Sequence, residues 1–458
     1  MKSIIRNLAP KFIVVLLPLA LLLFFSLVSI VQIFELTVLS LNVVPSFLSH
    51  SFSEYLINYS GGFVRRGLLG EVLSFIGEGF IIPTFNSFLF ILFITSLSFL
   101  IYLARLVTTS YFVPAIAILM PAGLVSISIF HKDYTIFARK EMLFYCFTIY
   151  CAAQSVKIYR SRQKHNNDDH LLNAKINVLI GQIFVFSFLA MLVHEGFAFF
   201  TAPTLFILLS FNTLTRNQKY RLAVLGAYLT LIFLMSVILF LNHGTSDIAS
   251  NIIASLPENV RTYHEAIDSL GLSAGQAVAQ VLVVEHVGLY NDFLIAFSQA
   301  LPIIGISLLL FSFLCRRFSR HGRSSIDPIT LGVVVFLFGV LTTGSSFFVM
   351  GDWGRLVVSI AINSLLLILV FSDVYIHDFN RTCVFHKIRN VEITKIRFIS
   401  EASLVDKKIT FLVVLGLFWM GLVFRMANCC RYPYHIKMHG IHNYLEAVKD
   451  LILFYRLF

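Results

Sequence analysis

The chain has 458 residues, of which 58% are hydrophobic and only 13% charged, about half of the roughly 25% charged share of a soluble globular protein. With 47 Phe, 17 Tyr and a mean hydropathy of +0.84, this composition excludes a water-soluble fold. The formal charge of +11 does not point to nucleic acid, because the basic residues fall in alternate loops between apolar runs, the layout of a membrane orientation signal.

The apolar runs come close to the ~20 residues that a helix needs to cross a ~30 Å hydrocarbon layer. The first, Phe12 to Phe34, follows Lys2, Arg6 and Lys11; at 23 residues it is too long for a signal-peptide core and reads as an uncleaved first span. Ten more follow, at about 84–104, 112–130, 142–157, 176–193, 197–211, 222–241, 293–314, 328–349, 356–372 and 410–424.

Residues 176–211 form one apolar stretch broken only by His194, Glu195 and Gly196, and charge decides how it divides. If two short helices meet at that break and the amino terminus lies inside, the inner segments hold 23 Lys or Arg against 8 Asp or Glu, and the outer segments 12 against 16. A single span would put the basic stretches Arg316 to Arg323 and Arg381 to Lys408 outside, against the positive-inside rule. The expected fold is an all-α polytopic transmembrane bundle of about 11 spans, with its N-terminus cytoplasmic and its C-terminus periplasmic. The whole of 1–458 forms one integral-membrane domain. Its longer connections are an outer loop at 35–83 with an interfacial helix, an outer loop or lid at 242–292, a cytoplasmic loop at 373–409 and an outer tail at 425–458.

Ionisable groups near span ends are costly and usually face a cavity or a partner. The dense clusters are outer. In the stretch from Gly61 to Glu71, the paired Gly61 and Gly62 allow a tight turn, and Arg65 and Arg66 then offer forked donors suited to phosphate oxygens or to lipid headgroups. Arg139, Lys140 and Glu141 open the fourth span, so their charges point into the bundle or snorkel outward, with Glu141 either a counter-ion or a base. His194-Glu195 resembles the start of a zinc HExxH site, but Ala198 stands where the second histidine belongs, so no metal site is expected. A carboxylate beside an imidazole can still take a proton from a sugar hydroxyl; the competing reading is a solvated hairpin tip. Asp352 and Arg355 flank Trp353 at a helix start, where Asp suits the N-terminal end and Arg355 suits substrate. The six cysteines have no zinc-type spacing, and no phosphate-loop, dinucleotide or nucleophile-elbow motif occurs.

The architecture over the whole chain, together with the stretches GGFVRRGLLGE, RKE, HE and DWGR, resembles C-type membrane glycosyltransferases and O-antigen polymerases of bacterial surface-polysaccharide assembly. That resemblance implies an enzyme of the bacterial inner membrane, with no cofactor, acting on a polyprenyl-phosphate or diphosphate sugar at the periplasmic face. Arg65, Arg66, Arg139, Lys140 and Arg355 would hold phosphate, supported by Gly61, Gly62, Glu71 and Asp352. Glu141, His194 or Glu195 would deprotonate the acceptor. Its partners would be the lipid-linked saccharide, membrane lipids and other polysaccharide-assembly proteins. The adjacent acidic pair common in the first outer loop of such enzymes is missing, which leaves Glu54 or Glu71 as single candidates. The alternative function is a transporter or flippase of lipid-linked saccharide, which would use the same cations for binding without glycosyl-transfer chemistry.

Overall fold

The computed structural model describes residues 2–37, 44, 48–120, 138–164, 170–214, 216–271, 286–319, 327–344, 353–372, 409–410, 412–417 and 420. These residues build an all-α membrane bundle. In chain order the helices are α1 (Lys2–Thr37), α2 (Ser49–Leu56), α3 (Gly67–Ser74), α4 (Ile81–Val107), α5 (Phe112–Leu119), α6 (Glu141–Lys164), α7 (His170–Val193) and α8 (Phe197–Phe200). They continue as α9 (Ala202–Asn212), α10 (Gln218–Leu241), α11 (Ser246–Ser255), α12 (Glu265–Asp268), α13 (His286–Phe318), α14 (Pro328–Gly344) and α15 (Trp353–Phe371). Among the described residues five helices are long and apolar enough to cross a membrane, within α1, α4, α7, α10 and α13, and α9, α14 and α15 are shorter apolar helices.

Burial sorts these helices by position. Every residue from Leu356 to Ser372 is buried, so α15 is the central helix, packed against α14, α13, α6 and α4. At the opposite extreme, α10 turns Leu222, Leu229, Phe233, Phe240 and Leu241 outward and buries little beyond Tyr228, Met235 and Leu239. An apolar outer face of this kind is stable only in lipid, where the solvent is as apolar as the side chains.

The chain doubles back at His194–Gly196. Asn212, ending α9, donates from Nδ2 to Ser155 Oγ (2.7 Å) and accepts at its carbonyl from Arg162 Nη2 (2.6 Å), both far along α6. His194, at the other end of the same stretch, faces Glu141 at the start of α6. Helix α7 therefore runs up the bundle and α8 and α9 run down, as the charge pattern requires.

Loop pairings follow the same alternation. The Arg65 N–H donates to Asn242 O (3.0 Å), Asn259 Nδ2 to Glu78 O (3.0 Å) and the Ala266 N–H to Ser53 Oγ (2.9 Å), so 48–80 and 242–268 share one end. The Thr109 N–H donates to Phe318 O (2.9 Å) at the other. A single span across 176–211 would have placed Arg65 and Asn242 at opposite ends. Of the expected third span only 112–119 is helical among described residues; 121–130, the 373–408 loop and the 425–458 tail lie outside them.

Close backbone approach fixes the first loop. A Cβ on Gly70 would lie 1.9 Å from Ile57 O, with no flexible side chain to yield. Gly70→Ala is expected to destabilise the protein by about 3 kcal/mol or more, as overpacking against rigid backbone does, and to lower its thermal unfolding midpoint in detergent. Gly79→Ala, which meets nothing within 4 Å, is the control and leaves the midpoint in place.

Candidate functional site

Four separate segments converge at the end of the bundle shared by 48–80 and 242–268. Helix α2 carries His50 and Glu54 four residues apart, hence on one face. The turn that follows is tight, with the Gly62 N–H donating to Tyr59 O (2.9 Å) and Gly62 at φ 114°. It ends on Arg66, the one described non-glycine residue with a positive φ (69°), a backbone state that costs of order 1–3 kcal/mol and must be held by its surroundings. Arg139 and Lys140 lie directly before α6 and Glu141 is its first residue; His194 and Glu195 form the turn between α7 and α8.

The side chains form two tiers. The lower tier is buried. Arg139 Nη1 lies 2.9 Å from Glu54 Oε1 and 3.2 Å from His50 Nδ1, and the Glu54 and Arg139 side chains are only 1% and 5% exposed. Lys140 Nζ donates to Arg66 O (3.1 Å) and Val193 O (3.3 Å) and sits 5.6 Å over the Tyr55 ring. That clasp ties the strained Arg66 turn and the end of α7 to the start of α6. The upper tier reaches the surface: Arg65, Arg66 and Glu195 are 23%, 17% and 23% exposed. Glu195 accepts from Arg66 Nε (3.0 Å) and Nη2 (2.5 Å) and from Arg65 Nη1 (3.2 Å), and Arg66 Nη1 lies 3.8 Å from Glu54. The Nε–H of Arg65 is shielded from solvent and reaches no acceptor among the described residues.

Among the described side chains, four cations against three carboxylates leave this cluster one positive charge when His50 and His194 are both neutral. The imidazole is buried, and the Gly196 N–H donates to its Nδ1 (2.9 Å). Neutral His194 therefore carries its proton on Nε2, toward Glu141 Oε1 at 4.0 Å. Burial pushes the Glu195 carboxyl up, but Arg66, His194 in its protonated form and Arg65 outweigh it and hold the group well below the usual carboxylate range. Burial lowers the Lys140 ammonium from 10.5 to about 8, against the pull of Glu54, which raises it.

That lowered value carries a pH signature. Between about 8 and 10.5 the unfolded chain holds more protons at Lys140 than the folded one, so stability rises with pH across this window. The burden of a buried ammonium is present below the window and relieved above it. Lys140→Met is expected to flatten that rise in thermal unfolding midpoints measured from pH 7 to 10.

The structure thus brings together Arg65, Arg66, Arg139, Lys140, Glu141, His194 and Glu195. Gly61 and Gly62 form the turn beneath them, and a Cβ on Gly61 would meet Ile248 O at 2.6 Å. Glu71 serves the loop, its Oε2 accepting from the Tyr59 N–H (3.0 Å). Arg355 falls in α15 with its side chain outside the described set, and Asp352 lies outside the described residues. Residues 246–271 pack against the first loop, the Ala266 N–H donating to Ser53 Oγ on α2 and Asn58 Nδ2 to Ser255 Oγ. His50 and Tyr55 were not singled out from sequence; the signal available was a His and a Glu four residues apart within a largely apolar loop. Among the described residues no group of three or more His, Cys, Asp or Glu is arranged to hold a metal ion.

A family described as uncharacterised membrane protein Rv1490 matches residues 22–297. The chain belongs to this family. The matched segment contains every residue of the two tiers, from His50 to Glu195. No curated protein and no solved structure matches the chain.

Proposed function

We propose that this Rv1490-family protein is a membrane glycosyltransferase or glycan polymerase. In this reading it acts at the periplasmic face of the bacterial inner membrane, on a sugar carried by polyprenyl phosphate or diphosphate. The observation that carries the reading is the two-tier cluster: a buried ionic scaffold that fixes two partly exposed, adjacent guanidinium groups at one end of a lipid-facing bundle. Arginine forks bind phosphate in two-point contact, and a net positive cluster at one end of a membrane bundle suits an anionic, lipid-borne ligand.

In the reaction the acceptor hydroxyl oxygen attacks the anomeric carbon and a new glycosidic C–O bond forms. The bond from that carbon to the phosphate oxygen breaks, and its electron pair leaves on the phosphate, whose charge Arg65 and Arg66 neutralise. The hydroxyl proton passes to Glu195, the carboxylate of the upper tier. Glu141, His194, Arg139 and Lys140 are buried and act by position: Lys140 holds the Arg66 turn, and Glu141 faces the imidazole that precedes Glu195.

The test is chemical. Purified full-length protein in lipid nanodiscs, supplied with polyprenyl-linked sugar and acceptor, is expected to form new glycosidic bonds, detected by mass spectrometry of the lipid fraction. Arg66→Gln should abolish the product. Movement of the lipid-linked sugar across vesicles without any new bond would replace the enzyme reading with a flippase.

A further inference from the structure

The partner of the two guanidinium groups is a carboxylate from the chain itself. Glu195 spans Arg66 and Arg65 much as one face of a phosphate would, with two oxygens on a fork and one oxygen shared with the neighbouring arginine. Of the carboxylates in the cluster it alone belongs to the partly exposed tier; Glu54 and Glu141 are buried. It sits in the short turn His194–Gly196, whose backbone is hydrogen-bonded to both flanking helices, so a change of its side-chain rotamer alone frees the arginines without disturbing either helix. Among the described residues the receptor is also incompletely filled, since the shielded Arg65 Nε–H reaches no acceptor there and Glu195 engages that arginine through Nη1 only. A phosphate monoester, with three non-bridging oxygens, or a diphosphate, with oxygens on two phosphorus atoms, can serve both forks, which a carboxylate with two oxygens cannot.

We propose that Glu195 is a built-in stand-in for the ligand: it occupies an oxyanion receptor made by Arg65 and Arg66, and a phosphate ester enters by displacing it. The inference rests on the phosphate-binding reading above and adds an exchange to it. The resting cluster keeps its cations paired while the site is empty of ligand, and phosphate binding is weakened by the competition. Displacement also parts the carboxylate from the cations that suppress its basicity, so Glu195 becomes a useful proton acceptor only once the phosphate is in place. Binding and base activation are then one event.

The test is binding of two probes, farnesyl phosphate and inorganic phosphate, to full-length protein in detergent, by titration calorimetry at fixed salt. Glu195→Gln is expected to bind farnesyl phosphate roughly tenfold or more tightly than the parent, because the competing charged acceptor is gone. Glu195→Asp, one methylene too short to hold both arginines, should fall between the two and keeps the test open if the glutamine variant does not fold. Glu258→Gln removes an exposed acid at the same end and should change nothing. Tightening with both probes identifies a general phosphate receptor, and with farnesyl phosphate alone a lipid-borne one; either supports the displacement. Equal or weaker binding by both Glu195 variants, or equal tightening by Glu258→Gln, overturns it. If farnesyl phosphate binds the parent, is lost in Arg66→Gln and is not tightened in the Glu195 variants, the displacement fails while the phosphate site stands. If no variant binds either probe, the phosphate reading fails with it.

Discussion

Replacing Glu195 by glutamine is expected to lower the rate of glycosyl transfer by about 10²- to 10⁴-fold, the range that loss of a general base produces. The amide keeps the shape of the side chain and one acceptor oxygen for Arg66, so the loss falls on proton transfer and not on folding. The split between kinetic constants separates this from damage to the site. If phosphate displaces Glu195, the glutamine variant should show a lower KM for the lipid-linked sugar together with the collapsed kcat, whereas a merely misassembled site would raise KM and lower kcat together. Undiminished transfer by this variant would remove Glu195 from the chemistry and leave it a counter-ion.

The second large effect concerns stability. Glu54→Ala strips the buried Arg139 guanidinium of the carboxylate at 2.9 Å and takes from Arg66 its second acidic neighbour. Removing one partner of a buried pair leaves an uncompensated charge, at about 3–5 kcal/mol. The variant should unfold at a markedly lower temperature in detergent and be recovered in poor yield. Replacing both partners by apolar residues, as Glu54→Leu with Arg139→Met, should recover most of that loss, since the desolvation of two charges disappears with their attraction. The double variant should nonetheless transfer poorly, because Glu54 also helps hold Arg66. A single Glu54→Ala change without effect on the unfolding midpoint would show that the pair adds nothing to stability.

Much of the bundle was readable in the chain. Apolar runs of the right length mark the helices because lipid demands continuous apolar surface and internally satisfied backbone, conditions that leave a strong linear trace. Even the reversal at His194–Gly196 was visible, through its effect on the sign of every later loop. The candidate site was readable only as a set of charged segments. Arg65, Arg66, Arg139 and Glu195 stood out as ions beside spans, but their pairings did not, since an ion pair between residues 129 apart, such as Arg66 and Glu195, leaves no local pattern. Glu54 illustrates the gap. In sequence it is one of two candidate acids of the first outer loop, beside Glu71, with no partner to be read; in the fold it is the buried anion under Arg139 and Arg66.

The sequence by itself determined that this is an all-helical membrane protein and that its chain reverses at His194–Gly196, because hydrophobic length and loop charge act along the chain and need no distant partner. Only the tertiary structure decided that Lys140 is a clasp on two carbonyls, that Arg66 is held in a left-handed backbone state and that Glu195 occupies both arginines. Those facts depend on distance and solvent exclusion, which arise when segments far apart in the chain are packed against one another.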